Sequence, residues 1–244
     1  MLPSLRKVYQ YQRRKRLERS KALTIALGIV CPDGIVIGAD SEISGPGDLK
    51  YEESKVYHSS HPAGWSLLFT YAGDVSLYKE ARNKILRRFI ELEPSPSSLE
   101  LACDDVFLSM GRQIHHYDGS HGVDLEMLWA LSCPGFEPRL LVFNGTGLYW
   151  GRGVHICGCG DASLSHYLYD ALYDGTLALD KAVRAAIYLI SRSKKYIGGI
   201  GGEMIVSTLV AGGTHDILPH EVLRIEAEML ERERRGLKDI IGLL

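Results

Sequence analysis

The chain lacks any apolar run of the roughly 18 residues that a membrane span needs, and its mean hydropathy is -0.04. A membrane-spanning helix is thereby excluded. It also lacks an excess of charge of either sign. Its 28 Lys and Arg stand against 30 Asp and Glu, a formal -2, which argues against nucleic-acid binding by the molecule as a whole. The N-terminus carries no apolar secretory segment, and the five cysteines (Cys31, Cys103, Cys133, Cys157, Cys159) are odd in number. Both features point to reduced thiols and a cytoplasmic location rather than a disulfide framework.

Several chemistries are missing as well. No G-x-S-x-G nucleophile elbow occurs. The glycine cluster Gly198-Gly199-Ile200-Gly201-Gly202 precedes a strand pattern, whereas phosphate-cradling loops open a helix, so it reads as a turn. His115, His116, Asp118, His121 and Asp124 are crowded but show no tight zinc spacing, and they read as a solvated loop set. Cys157-Gly158-Cys159 is a lone C-x-C pair, and its thiols read as buried or turn residues.

What is present is enough apolar material, 45% of 244 residues, for one good core or two small ones without disulfides or metals. Residues 1–23 form a segment apart: Arg6, Lys7, Arg13, Arg14, Lys15, Arg16, Arg19 and Lys21 against Glu18 alone. It reads as a solvated basic end, a removable leader or an arm for an acidic partner.

From Thr24 the texture becomes β-rich. Thr24 to Cys31 and Ile35 to Ala39 flank a Pro32-Asp33-Gly34 turn and predict a hairpin buried on both faces. A third run, Trp65 to Ala72, follows a polar stretch. Then Leu77, Ala81, Ile85, Phe89 and Leu92 recur at helical spacing until Pro94-Ser95-Pro96. Behind Ser97 or Ser98 as a cap, Leu99, Cys103, Val106, Met110 and Ile114 repeat the pattern. Strand signals return at Glu126 to Ser132, Arg139 to Asn144 and Val154 to Cys157. Helical spacing resumes from Leu164 to Leu172 and, behind Asp180 as a cap, from Ala182 to Ile190; Met204 to Val210 closes as a strand.

Runs of strands followed by runs of helices predict an α+β protein with antiparallel pairing, not alternating βαβ units. Strands buried on both faces need cover above and below, and a four-layer αββα sandwich supplies it. The expected segments are a basic extension or propeptide over 1–23, the sandwich domain over 24–213 and a charged helical tail over 214–244. The tail from Pro219 is amphipathic, suited either to packing on a neighbour or to a solvated end.

One chemical arrangement remains. Thr24 opens the first strand, Asp40 ends its hairpin partner and Lys55 follows a short polar connection. The run Thr24-Ile-Ala-Leu-Gly-Ile-Val-Cys-Pro-Asp-Gly-Ile-Val-Ile-Gly-Ala-Asp40 resembles the start of proteasome β-type subunits, and more broadly of N-terminal-nucleophile hydrolases. The resemblance continues through Ser54-Lys55-Val56-Tyr57, Ala72-Gly73-Asp74, Gly158-Cys159-Gly160 and Gly201-Gly202-Glu203-Met204 and covers about residues 24 to 212.

The chemistry it implies is coherent. A threonine hydroxyl needs a base to take its proton, and a free α-amine on the same residue, with a reference pKa of about 7.7 to 8.0, suits that task. A nearby lysine lowers neighbouring pKa values, and an aspartate paired with it keeps the ammonium charged and fixed. By resemblance Thr24 is the nucleophile, Lys55 its electrostatic activator and Asp40 the partner of Lys55, with Thr70 and Cys159 at oxyanion-hole or supporting positions. The resemblance implies no metal and no organic cofactor. It implies a threonine-type peptidase, freed by loss of residues 1–23, in a self-assembled homo-oligomeric ring that degrades unfolded polypeptide delivered by a regulatory unfoldase.

The chain departs from the family pattern at four places. Leu23 stands where active members carry glycine, Thr70 replaces a glycine, Cys159 replaces a serine, and Gly198 to Gly202 lacks the supporting aspartate and serine. With the uncleaved basic extension, these departures sustain the alternative of a noncatalytic ring subunit, α-type-like or a pseudoenzyme.

Overall fold

The structure, a computed structural model, describes residues 24–44, 49–118, 125–145, 147–158 and 177–240. The basic segment 1–23, Cys159 and the helical pattern from Leu164 to Leu172 lie outside them.

Strand β1 (Ile25–Cys31) turns directly into β2 (Gly34–Asp40), with Cys31 opposite Gly34. Nearly every residue of the hairpin is buried, as the unbroken apolar runs require. A small hairpin, β3 (Glu42–Ser44) and β4 (Lys50–Glu52), leads to β5 (Val56–Ser60) and β6 (Ser66–Gly73). Helix α1 (Val75–Glu91) starts at Asp74, whose Oδ1 accepts the N–H groups of Ser76 and Leu77 at 2.8 and 2.9 Å. Tyr78, Ala81, Ile85 and Phe89 form its buried stripe, close to the predicted one.

Helix α2 (Pro96–Asp118) begins a residue or two before the predicted cap. Ser95 Oγ accepts the Ser98 N–H at 3.1 Å, so Ser95 does the capping and Pro96 occupies the first turn, where its missing N–H costs nothing. Strands β7 (Leu125–Ser132), β8 (Arg139–Phe143), β9 (Leu148–Gly151) and β10 (Val154–Gly158) follow. Then come α3 (Leu179–Tyr196), β11 (Met204–Val210), β12 (Gly213–Asp216) and α4 (Pro219–Ile240). Asp180 lies inside the first turn of α3. The acceptor for the Leu179 N–H is Asp33 Oδ1 at 3.2 Å, from the β1–β2 turn.

Among the described residues the architecture is α+β, with three antiparallel sheets and four helices. One five-stranded sheet runs β10-β1-β2-β11-β12 and the other β5-β6-β7-β8-β9, beside the two-stranded β3-β4. Side chains alternate across each strand, and the apolar contacts separate accordingly into three clusters. Leu67, Phe69, Trp129 and Leu141 of the β5–β9 sheet pack under α1 and α2. Ile25, Leu27, Val36 and Val206 of the other sheet pack under α3 and α4. Ala26, Ile37 and Ala39 meet Val56, Leu68, Ala72 and Leu128 between the sheets.

The C-terminal helix docks on its own chain. Val222 and Ile225 are buried with Met229 against α3, and Arg184–Glu228 and Ser191–Glu226 contacts at 2.9 and 2.6 Å flank them. Among the described residues no helix is long and apolar enough to cross a membrane.

Candidate active site

Three strand ends meet at one point. Thr24 immediately precedes β1, Asp40 is the last residue of β2, and Lys55 immediately precedes β5 in the opposite sheet. Lys55 Nζ donates to Thr24 Oγ1 at 2.8 Å, to Asp40 Oδ2 and Oδ1 at 3.0 and 3.1 Å, and to the Glu42 carbonyl at 2.5 Å. The three residues predicted to act together are therefore brought together. They are also shut from solvent: Thr24 is 4% exposed, Lys55 1% and Asp40 0%.

Asp40 does more than pair with Lys55. Its Oδ1 accepts the Ile25 N–H at 2.9 Å and its Oδ2 the Gly201 N–H at 3.4 Å. It thus pins the residue after Thr24 as well as the lysine. Burial pushes the Asp40 carboxyl above its ordinary value, against the opposing pull of the Lys55 charge and the hydrogen bonds it accepts.

The glycine cluster has a definite job that its reading as a turn misses. Glu42 N–H donates to the Gly201 carbonyl at 3.2 Å, and Ser41 Oγ accepts the Glu203 N–H at 2.7 Å. Gly202 has φ of +69°, and a Cβ there would sit 2.3 Å from Ser41 Oγ. Only a residue without a side chain lets this loop clasp the segment after Asp40.

Thr70 lies on β6, opposite Val56 and Leu128, fully buried, and its hydroxyl has no hydrogen-bond partner among the described residues. Cys159 lies outside the described residues, as do the side chains of His115, His116 and Asp118. Cys157 is buried between the sheets. Among the described residues no group of three or more His, Cys, Asp or Glu side chains is arranged to hold a metal ion. An open cleft of about 760 Å³ exists at the other end of the β5–β9 sheet, lined by Trp65, Leu92, Pro94 and Phe136. It is remote from the Thr24 cluster, and its lining carries no reactive arrangement.

Sequence reasoning missed Glu126. Its Oε2 accepts the Gly158 N–H at 2.6 Å, joining β7 to β10 beside Thr24. Gly158 has φ of +98°, and a Cβ on it would fall 2.0 Å from the Thr24 carbonyl oxygen. In the sequence, Glu126 is one acidic residue at the head of a strand, and nothing local marks it.

No known family's sequence model matches the chain, and no curated protein does. Solved structures do match. Anbu (ancestral beta-subunit) from Yersinia bercovieri aligns with a TM-score of 0.73 at 15% identity, over 90% of this chain and 97% of that one. The Anbu complex of Pseudomonas aeruginosa, described as a helical assembly, aligns at 0.72 and 13% identity over 90% and 96%. An Anbu (Gly-1) mutant from Hyphomicrobium sp. strain MC1 aligns at 0.71 and 12% over 89% and 99%.

At such identities the likeness is one of fold: this chain has the fold of Anbu proteins. That corrects the resemblance read from the motifs. The solved structures named above are Anbu proteins, and no sequence comparison supports an assignment to the proteasome β-type subunits whose motifs it resembles.

Proposed function

We propose that the protein is a threonine-type peptidase with Anbu-like architecture, a four-layer αββα sandwich that acts through Thr24 once residues 1–23 are removed. The observation that carries this reading is the Lys55 ammonium, bonded at once to the Thr24 hydroxyl at 2.8 Å and to the Asp40 carboxylate at 3.0 Å in a site closed to solvent. A buried lysine held charged by a carboxylate, and aimed at a hydroxyl oxygen, stabilises the alkoxide character that attack requires.

The chemistry runs by acyl transfer. Thr24 Oγ attacks the substrate carbonyl carbon while its proton passes to the α-amine of Thr24. The tetrahedral intermediate collapses as the C–N bond breaks and the same amine returns the proton to the leaving nitrogen. Water then hydrolyses the Thr24 ester by the same proton relay. While Leu23 is attached, that nitrogen is an amide without usable basicity, so cleavage of Leu23–Thr24 precedes turnover. The working domain begins at residue 24 and takes in β12 (Gly213–Asp216), which pairs with β11, and the helix α4, which is docked on α3.

The substrate is unfolded polypeptide supplied by a regulatory unfoldase in the cytoplasm, and the chain closes into a homo-oligomeric ring. The Pseudomonas aeruginosa Anbu, a helical assembly, supports self-association of this fold. A monomer by sedimentation at micromolar concentration overturns that part.

A second reading, a noncatalytic subunit of such an assembly, draws on Leu23 in place of glycine and on the near-complete burial of Thr24. Intact mass and peptide turnover separate the two. The enzyme loses residues 1–23 and hydrolyses fluorogenic peptides, and its Thr24→Ala variant does neither. A stable full-length chain without turnover supports the scaffold.

A further inference from the structure

The mechanism above gives no role to Glu126, although its carboxylate reaches from one sheet to the other at the site. Leu128 and Ala130, which follow it at the two-residue period of β7, belong to the cluster between the sheets, so Glu126 starts that same inward face. Its charge is felt inside: burial first, and then Glu126, push the Cys157 thiol well above its ordinary value. Its cross-strand neighbour Ala72 lies beside Gly158, with 3.2 Å between the Ala72 Cβ and a Cβ built on that glycine. Gly158 in turn abuts the Thr24 carbonyl.

Polar contacts therefore join the two sheets near this point. Lys55 Nζ donates to Thr24 Oγ1 at 2.8 Å and to Asp40 Oδ2 at 3.0 Å inside the site, and at its exposed side the Gly158 N–H donates to Glu126 Oε2 at 2.6 Å. The apolar layer itself is held by a non-directional force. A charge-assisted hydrogen bond is directional and roughly twice as strong as a neutral one. A strand end whose N–H merely needed an acceptor could use water or its own ladder partner, whereas Gly158 takes a carboxylate from the facing sheet.

We propose that Glu126 is a positioning residue: by holding the Gly158 N–H it sets the spacing of the two sheets where Thr24 of one meets Lys55 of the other, and so keeps the Thr24 hydroxyl in reach of the ammonium. The kinetic part of this inference rests on the peptidase reading; the structural part does not.

The test compares the full-length Glu126→Ala and Glu126→Gln proteins with wild type. Gln keeps an oxygen acceptor of the same reach, and Ala removes it. Amide hydrogen exchange, which needs no activity, is expected to quicken about tenfold or more in Ala over residues 24–31 and 154–158, but not in α1. In Gln it is expected to stay within about threefold of wild type. On the processed proteins, kcat in Ala is expected to fall roughly 10- to 100-fold with KM changed less than about twofold, since a displacement of about 1 Å has effects of that size. Gln is expected to restore most of the loss.

Wild-type exchange in Ala overturns the proposal, as does unchanged kcat, a loss confined to KM, or a Gln variant as impaired as Ala. If wild type itself shows no turnover, the peptidase reading fails alone, and exchange still decides the role of Glu126. Should the Ala variant not fold, Glu126→Asp, one methylene too short to span the gap, takes its place under the same criteria.

Discussion

Lys55 Nζ stands 2.8 Å from Thr24 Oγ1, and that bond runs from the start of one sheet to the start of the other. Its geometry depends on Asp40, which holds the ammonium at 3.0 Å and the Ile25 N–H at 2.9 Å with one carboxylate. A buried pair of this kind is costly to break and much less costly to replace. Lys55→Met alone, or Asp40→Asn alone, leaves a buried group uncompensated and is expected to lower stability by about 3 to 5 kcal/mol. The double variant is expected to recover most of that, and urea unfolding of the four proteins measures the coupling. Additive losses would show that the pair does not act as a unit.

The pH dependence of stability carries a sign. Burial raises the Asp40 carboxyl above its unfolded value of 3.8, so the folded state holds this proton more tightly than the unfolded chain does. Its contribution is fully present below the unfolded pKa and is lost as pH rises through the folded one. Relative to Asp40→Asn, wild type is therefore expected to lose unfolding free energy as pH rises above 3.8. For turnover, protonation of Asp40 removes the partner of Lys55, so the acid limb is expected above pH 3.8. A stability difference drifting the other way would show that Lys55, not burial, dominates.

Thr70 offers a cleaner isolated test. Its hydroxyl is buried without a partner among the described residues, between Val56 and Leu128 of the inter-sheet layer. An unsatisfied buried hydroxyl costs about 1–3 kcal/mol, so the isosteric Thr70→Val is expected to raise stability by about 1 kcal/mol or more. Turnover is expected to persist, because the substitution leaves the backbone N–H in place. A destabilised variant in urea would mean that the hydroxyl is satisfied in solution.

What the sequence made legible follows from how each element is stabilised. The β1–β2 hairpin declares itself by two apolar runs about an Asp-Gly turn, and β11 spans the predicted residues, with Glu203 before it and Gly212-Gly213 one residue past its end. The strands β5 and β9 were not legible. They lie at the sheet's two edges, are partly exposed and carry little of the apolar pattern that sequence reading depends on.

Thr24 and Asp40 stand at the ends of the recognisable hairpin, whereas Lys55 precedes the poorly marked β5 and was picked out only through the resemblance at Ser54-Lys55-Val56-Tyr57. Glu126 and Gly201 act through contacts 32 and 161 residues away in sequence, with Gly158 and Asp40. The start of α3 failed in the same way, since its acceptor, Asp33, comes from a turn 146 residues earlier. Tertiary hydrogen bonds of this sort leave no local periodicity.

The central claim is that Thr24 is a nucleophile activated by Lys55. The most direct measurement treats a chain beginning at Thr24 with a peptide bearing a hydroxyl-directed electrophile, follows adduct formation by intact mass and locates the adduct by peptide mapping. The account predicts a single adduct, on Thr24, forming about 100-fold or more slowly in a folded Lys55→Ala variant, the scale expected when a preorganised charge is removed. A folded chain that forms no adduct, or one labelled on Thr24 at the same rate without Lys55, would contradict it.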